Sequence, residues 1–230
     1  MNKLIYLIAG TGLAFVSIAA TAEVSGNVTL ATDYAYRGIS QTSENPAIQG
    51  GFDLTDESGL YAGVWASNVD FDGSIEIDVY AGYGGSLSES VSYDIGVLRY
   101  EYPDDEQGGA AESSFNEVYG SVAYKGLTVG LAWSPDFFYE SDKSTYWYLD
   151  YELSLPNEFG LAFHYGNQSI DDNAAFGTPD YSDYSVALSR SAADLDFSVT
   201  WYDTDLSTTD CFGGSDLCES RVVFAIGKSL

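Results

Sequence analysis

From Ser25 onward the chain alternates apolar and polar positions with a period of two, the spacing of a strand whose successive side chains point to opposite faces. Over residues 25–41, Val28, Leu30, Thr32, Tyr34 and Tyr36 fall on one side, and Asn27, Thr29, Ala31, Asp33, Ala35 and Arg37 on the other. The rhythm returns over residues 47–54, 74–84, 90–102, 115–124, 127–133, 145–155, 159–165, 184–188, 195–202 and 219–230. Residues 60–67 are apolar on both sides and read as a strand whose orientation the pattern leaves open. Together these segments predict about twelve strands and no helix.

The alternation alone does not say which face is inside. The connections do: those after odd-numbered strands are long and mostly acidic, such as residues 101–114, and those after even-numbered strands are short, such as Lys125-Gly126. An antiparallel up-and-down transmembrane β-barrel with short periplasmic turns and longer extracellular loops sorts its connections in this way. A Greek-key sandwich has no reason to, and soluble up-and-down barrels close with about eight strands. The apolar face also runs unbroken along most strands, as a band facing hydrocarbon would. Aromatic residues near strand ends (Tyr34, Tyr36, Tyr83, Tyr124, Trp133, Trp147, Tyr165, Trp201) fit the two girdles of such a barrel. The other face is small or acidic. The apolar face is therefore expected to meet lipid.

The first residues have a different pattern. Lys3 precedes an apolar run to Ala20, and Ala20-Thr21-Ala22 forms a small-residue cleavage site before Glu23. This predicts a signal peptide over residues 1–22 and one barrel domain over 23–230, exported to the outer membrane. No later apolar run approaches the ~18 residues of a spanning helix. The closing strand Val222-Val223-Phe224-Ala225-Ile226, with its terminal Leu230, is similar to the assembly signal of outer-membrane proteins.

Charge sharpens the picture. The chain holds 8 Lys plus Arg against 35 Asp plus Glu, a formal net charge of −27. Nucleic acid is excluded as a partner, since phosphate binding needs clustered basic residues. Acidity with few aromatics would suggest disorder, but 19 Tyr, 12 Phe and 4 Trp are a strand-forming composition. Cys211 and Cys218, in a loop of an exported chain, are expected to form a disulfide; two thiols with no histidine nearby make a poor zinc set.

The segment 25–54, followed by Gly59-Leu60-Tyr61-Ala62-Gly63-Val64-Trp65-Ala66-Ser67-Asn68 and by Val91-Ser92-Tyr93-Asp94-Ile95-Gly96-Val97, resembles the TorF family of porin-like proteins. That family is also filed as a proteobacterial family of unknown function (Gcw_chp). The resemblance runs from Ser25 to the closing Gly227-Lys228-Ser229-Leu230, and Arg37-Gly38-Ile39-Ser40-Gln41 is among its distinctive parts. It implies an outer-membrane barrel and a channel, with no catalytic residue to carry over.

On the barrel reading the polar face lines a lumen, and Asp33, Arg37, Asp53, Glu76, Asp78, Asp94, Glu117, Asp150, Glu152, His164 and Asp196 become pore-lining. Negative rings favour cations, which predicts passive diffusion of small cationic or neutral hydrophilic solutes. The partners are then membrane lipid and those solutes, and no cofactor is expected. The alternative is a non-conducting barrel that serves as a structural or loop-mediated binding protein. An outer-membrane hydrolase fits less well, because the one histidine, His164, has Gly166 where a lipid-facing His-x-Ser pair needs serine, and no nucleophile elbow is present. Residues 68–75 resemble the start of a calcium loop, with oxygen side chains at Asn68, Asp70 and Asp72 and then Gly73, but Val79 stands where a bidentate Glu belongs. Ordinary turn chemistry accounts for the segment.

Overall fold

A computed structural model of the chain describes residues 23–71, 74–103 and 111–230. The expected signal peptide lies outside the described residues, as do Asp72 and Gly73 of the calcium-like loop. The strands are β1 (Glu23–Ala31), β2 (Ala35–Tyr36), β3 (Ile39–Ser40), β4 (Ala47–Thr55), β5 (Leu60–Asn68), β6 (Ile75–Ser88) and β7 (Val91–Glu101). They continue as β8 (Phe115–Tyr124), β9 (Leu127–Ser134), β10 (Ser144–Ser154), β11 (Phe159–Ile170), β12 (Tyr181–Ala192), β13 (Leu195–Thr204) and β14 (Arg221–Ser229). All except β2 and β3 form one closed antiparallel barrel of twelve strands among the described residues. Closure comes from β1 against β14, in register from Asn27 opposite Ser229 to Ala31 opposite Ala225. Helical structure among the described residues is one 3-10 turn, Phe138–Glu140, and one α-turn, Asn173–Phe176.

Connections sort by end. Residues 56–59, 89–90, 125–126, 155–158 and 193–194 make one rim of short turns, and the described parts of the connections 32–46, 69–74, 102–114, 135–143, 171–180 and 205–220 lie at the opposite, long-loop rim. Lys125-Gly126 and Ala193-Asp194 both have positive φ at both positions, the two-residue geometry that matches strand twist. In the last long loop Cys211 and Cys218 are joined as a disulfide with Cα atoms 6.0 Å apart.

The outer surface is an apolar belt. Leu30, Phe52, Val79, Ile95, Val97, Val129, Leu131, Val199 and Phe224 all lie on it and are exposed. Leaving this much apolar area in water would cost about 25 cal/mol per Å²; against hydrocarbon it costs nothing. Trp133, Trp147, Tyr165, Tyr184 and Trp201 ring the belt toward the long loops, and Tyr83, Tyr93, Tyr124 and Tyr151 toward the short turns. Such amphipathic rings suit the two interfaces of a bilayer.

Two expectations are settled differently from the alternation. The ambiguous strand β5 turns Tyr61, Gly63, Trp65 and Ser67 inward and Leu60, Ala62, Val64 and Ala66 outward. The first strand does not run to Gln41. It ends at Ala31, and Tyr34 and Tyr36, expected at the lipid interface, are inside the barrel. The reason is local. Arg37 and Gly38 both have positive φ (46° and 80°), which folds β2 onto β3 as a tight hairpin. Asp33 then accepts hydrogen bonds from Ser40 Oγ and Thr42 Oγ1, both at 2.7 Å, and holds the loop together. A methyl on Gly38 would lie 2.6 Å from Thr204 Cγ2 and 2.9 Å from Asp183 Cβ, so glycine is required there for space as well as for φ.

Val199→Lys, in mid-belt on β13, is expected to destabilise the barrel by about 2–4 kcal/mol in urea unfolding from phospholipid vesicles. Ser198→Lys, one residue away on the inner face, is expected to be near neutral. Equal effects of the two would place the apolar face somewhere other than in lipid.

Candidate functional site: a tyrosine-walled acidic lumen with an internal plug

The inner face combines tyrosines, glycines and carboxylates in a fixed relation. Tyr61 stands opposite Gly82, Tyr80 opposite Gly63, Tyr119 opposite Gly96 and Tyr148 opposite Gly130. At each of these glycines a methyl would overlap the facing tyrosine ring. Each ring therefore lies flat on the wall, over a neighbour strand with no side chain in its way. The phenols reach carboxylates on nearby strands: Tyr80 donates to Asp53, and Tyr61 donates to Asp94 at 2.9 Å and shares a 2.6 Å hydrogen bond with Tyr119. This is how an acidic wall is kept in place with few basic residues.

Toward the long loops the lumen is filled. The 32–46 loop folds inward rather than out. Tyr34 packs edge-on against Trp65, with ring centroids 5.4 Å apart, and donates to Glu76 Oε1 at 2.8 Å; Tyr102 donates to the other oxygen at 2.7 Å. Burial, then the charges of Glu76 and Asp78, push the Tyr34 phenol well above its ordinary range, so it remains a donor. Tyr36 packs against Tyr100 and Phe138. Phe115, Phe137, Phe138 and Phe176 complete an aromatic core that also contains the disulfide.

Arg37, at the hairpin tip, enters the centre of this core. Its Nη2 donates to both oxygens of Glu117, at 2.8 and 2.9 Å, and its Nη1 donates to Gln168 Oε1 at 2.5 Å. The guanidinium lies 4.1 Å from the centroid of Tyr146 and 4.7 Å from that of Tyr36. Burial works against its charge, but Glu117 and the surrounding phenols more than offset this, so the group holds its proton more firmly than a free arginine. A second pair anchors the loop base, where Arg221 Nη1 lies 3.2 Å from Asp33 Oδ2.

Of the residues expected to line a pore, Asp53, Glu76, Asp78, Asp94, Glu117, Asp150, Glu152, His164 and Asp196 all sit on inward positions of barrel strands. Asp33 and Arg37 do not belong to a strand. They are part of the plug, because the chain has already turned inward. The structure brings Glu76 and Asp78 together on one inner face of β6, in the field of Glu117, and Asp78 Oδ1 is buried with no hydrogen-bond partner. It also brings Asp150 to His164, with Oδ1 2.5 Å from Nδ1, while Asp183 Oδ1 lies 3.0 Å from Nε2. Asp196 accepts from Ser191 Oγ at 2.5 Å. Glu152 is half-buried near the short turns. Among the described residues no group of three or more His, Cys, Asp and Glu is placed to hold a metal ion.

Sequence reasoning passed over Tyr146, Gln168, Asp183 and Arg221, all of which carry the plug's contacts. Gln168 and Asp183 lie in strand extensions beyond the clean alternation. The Arg37-Gly38 pair was a usable signal, since a residue followed by glycine inside an apparent strand marks a hairpin turn.

The model for a family of bacterial proteins of unknown function, Gcw_chp, matches residues 17–230. No curated protein matches the sequence at a significant level. Among solved structures the fold is similar to the KdgM porin, at 10% identity and a TM-score of 0.57, over 90% of this chain and 99% of that one. It is similar to the NanC porin at 11% identity and a TM-score of 0.54, over 89% of this chain and 98% of that one. The KdgM porin in complex with disordered oligogalacturonate gives a TM-score of 0.54 at 10% identity, over 90% of this chain and 98% of that one. At these identities the likeness is one of fold.

Gly96→Ala is expected to force the Tyr119 ring off the wall and to destabilise the barrel by about 1–3 kcal/mol, the range for overpacking. Combined with Tyr119→Ser, the loss in urea unfolding should be smaller than the sum of the two single changes. Simple additivity would show that ring and glycine are not in contact.

Proposed function

The chain belongs to the Gcw_chp family of bacterial proteins, whose function is unknown, and from that membership and the barrel's construction we propose that it is an outer-membrane channel for small cationic or neutral hydrophilic solutes. The observation that carries this reading is the opposition of the two faces. The outer side presents an apolar belt between aromatic girdles, and the inner side presents carboxylates at Asp53, Asp94, Asp150, Glu152 and Asp196. A surface of the first kind needs lipid, and a lining of the second kind draws water and cations. In this reading residues 1–22 are the export signal, the long loops face outward, and the narrower kinship is with TorF-type porins.

The lining bears on solute charge. The KdgM porin binds oligogalacturonate, an acidic sugar chain, in one of the similar structures. Here a polyanion would meet carboxylates throughout the short-turn half, and like-charge juxtaposition is costly. Cations and neutral polyols are the better fit.

A second reading has an observation of its own. The long-loop half is filled by aromatic rings and the 32–46 hairpin, as suits a barrel that anchors or binds through its loops. A hydrolase has less support: both ring nitrogens of His164 face carboxylates inside the barrel, and Gly166 follows where serine would be needed.

Reversal potentials in asymmetric potassium chloride, with the refolded protein in planar bilayers, test the channel. Cation preference is expected, and it should weaken in Asp150→Asn/Asp196→Asn. Absence of any current in the wild type and in plug variants would favour the anchoring role. Anion preference would overturn the charge assignment.

A further inference from the structure

The site around Arg37 has the chemistry of a receptor. Glu117 offers both carboxylate oxygens to one guanidinium nitrogen, Gln168 offers its amide oxygen to a second, and Tyr146 offers a ring face, which together suit a planar guanidinium. Phe137 closes the cage, its centroid 5.8 Å from the guanidinium carbon. Each of these residues is held by a partner other than Arg37. Tyr100 donates to Glu117 Oε2 at 3.3 Å, and Gln168 Nε2 donates to the Ser169 carbonyl at 3.3 Å. Tyr146 donates to Asp183 Oδ2 at 3.0 Å and lies 2.8 Å from His164 Nε2. Phe137 packs on Phe115 and Phe176, with centroids 4.7 and 5.4 Å away. Glu117, Gln168 and Tyr146 stand on β8, β11 and β10, so these three belong to the wall, while Phe137 stands on the 135–143 loop and the Tyr36 ring, 4.7 Å from the guanidinium, belongs to the hairpin. Arg37, by contrast, arrives on a two-strand hairpin that is not a member of the barrel sheet.

We propose that the Glu117–Gln168–Tyr146–Phe137 cage is a solute site for a guanidinium-bearing cation, and that Arg37 occupies it as a built-in competitor. A solute arriving through the lumen exchanges one guanidinium for another. Glu117 is never left buried and unpaired, and the hairpin is released as the solute binds. No bond is made or broken. The role as a transport site rests on the channel reading; the binding chemistry does not.

The test uses full-length refolded wild type, Arg37→Ala and Arg37→Ala/Glu117→Gln, with guanidinium chloride at low millimolar concentration as the probe and methylammonium and sodium chloride as controls. Thermal unfolding of Arg37→Ala should shift upward and saturate with guanidinium, at least tenfold more tightly than with methylammonium. Wild type, whose cage is filled by the competitor, should need at least tenfold more guanidinium for the same shift, and the double variant, whose cage lacks its charge, should not respond. If Arg37→Ala alone does not refold, guanidinium in the refolding buffer should restore its heat-modifiable band on gels, and failure to do so overturns the proposal. An identical response of Arg37→Ala and the double variant, or equal responses to guanidinium, methylammonium and sodium, also overturns it. In bilayers Arg37→Ala should carry several-fold more current than wild type, and guanidinium should reduce it. A saturable thermal shift with no current in any variant removes the channel and leaves the site. Current without the shift removes the site and leaves the channel.

Discussion

In hydrocarbon every backbone N–H and C=O must find a partner within the protein, and the rest of this structure follows from how that requirement is met. The pairing of β1 with β14 leaves the barrel sheet no free edge. Once closed, the alternation of each strand has only one consistent use. Apolar side chains face lipid and the remainder are driven inward, where twelve strands enclose more space than eight but far less than a large porin. The interior then has to solve a problem that the exterior does not: how to hold many carboxylates at close quarters.

The answer is not a matching set of arginines, since the whole chain has 8 Lys plus Arg. Phenols take that part. Glu76 is held by Tyr34 and Tyr102, Asp94 by Tyr61, Asp53 by Tyr80, and Asp183 by Tyr146. A phenol donates a hydrogen bond without bringing a counter-charge, so the wall is ordered with few basic residues. The glycines opposite Tyr61, Tyr80, Tyr119 and Tyr148 complete the arrangement by letting the rings lie flat. The order of this wall of acidic residues thus comes from its phenols and glycines together.

Most of the architecture was legible in the sequence, because a period-two pattern with connections sorted by length is a direct imprint of an up-and-down barrel. Twelve strands, the rim of short turns and the inward positions of Glu76, Asp94, Glu117 and Asp150 could all be read from parity. Tyr34 and Tyr36 could not. Their spacing continues that of β1, and nothing in a local alternation reports that Arg37-Gly38 turns the chain back into the lumen. Their partners Glu76 and Tyr100 are 42 and 64 residues away, so the contacts that decide their place are not local. Strand β5 was undecided for a related reason: Trp65 is apolar yet points inward, to a lumen that is aromatic near the plug.

The plug also differs from the wall in kind. Barrel strands are joined by continuous ladders, whose opening would expose backbone groups to lipid. The hairpin meets the wall through side chains, Arg37 to Glu117 and Gln168, Tyr34 to Glu76, and Asp33 to Arg221, and its backbone pairs with neighbouring loops where Ser40 N–H donates to the Leu217 carbonyl and Asp70 N–H to the Gln41 carbonyl. Breaking a buried ion pair by deleting one partner costs about 3–5 kcal/mol, largely because the other charge is stranded. That cost vanishes when another cation takes the vacated place. On the exchange proposed above, a loop held this way opens to a cation of matching shape. Glu117, a carboxylate on an inward position of the wall, is thus also the group that holds the hairpin in.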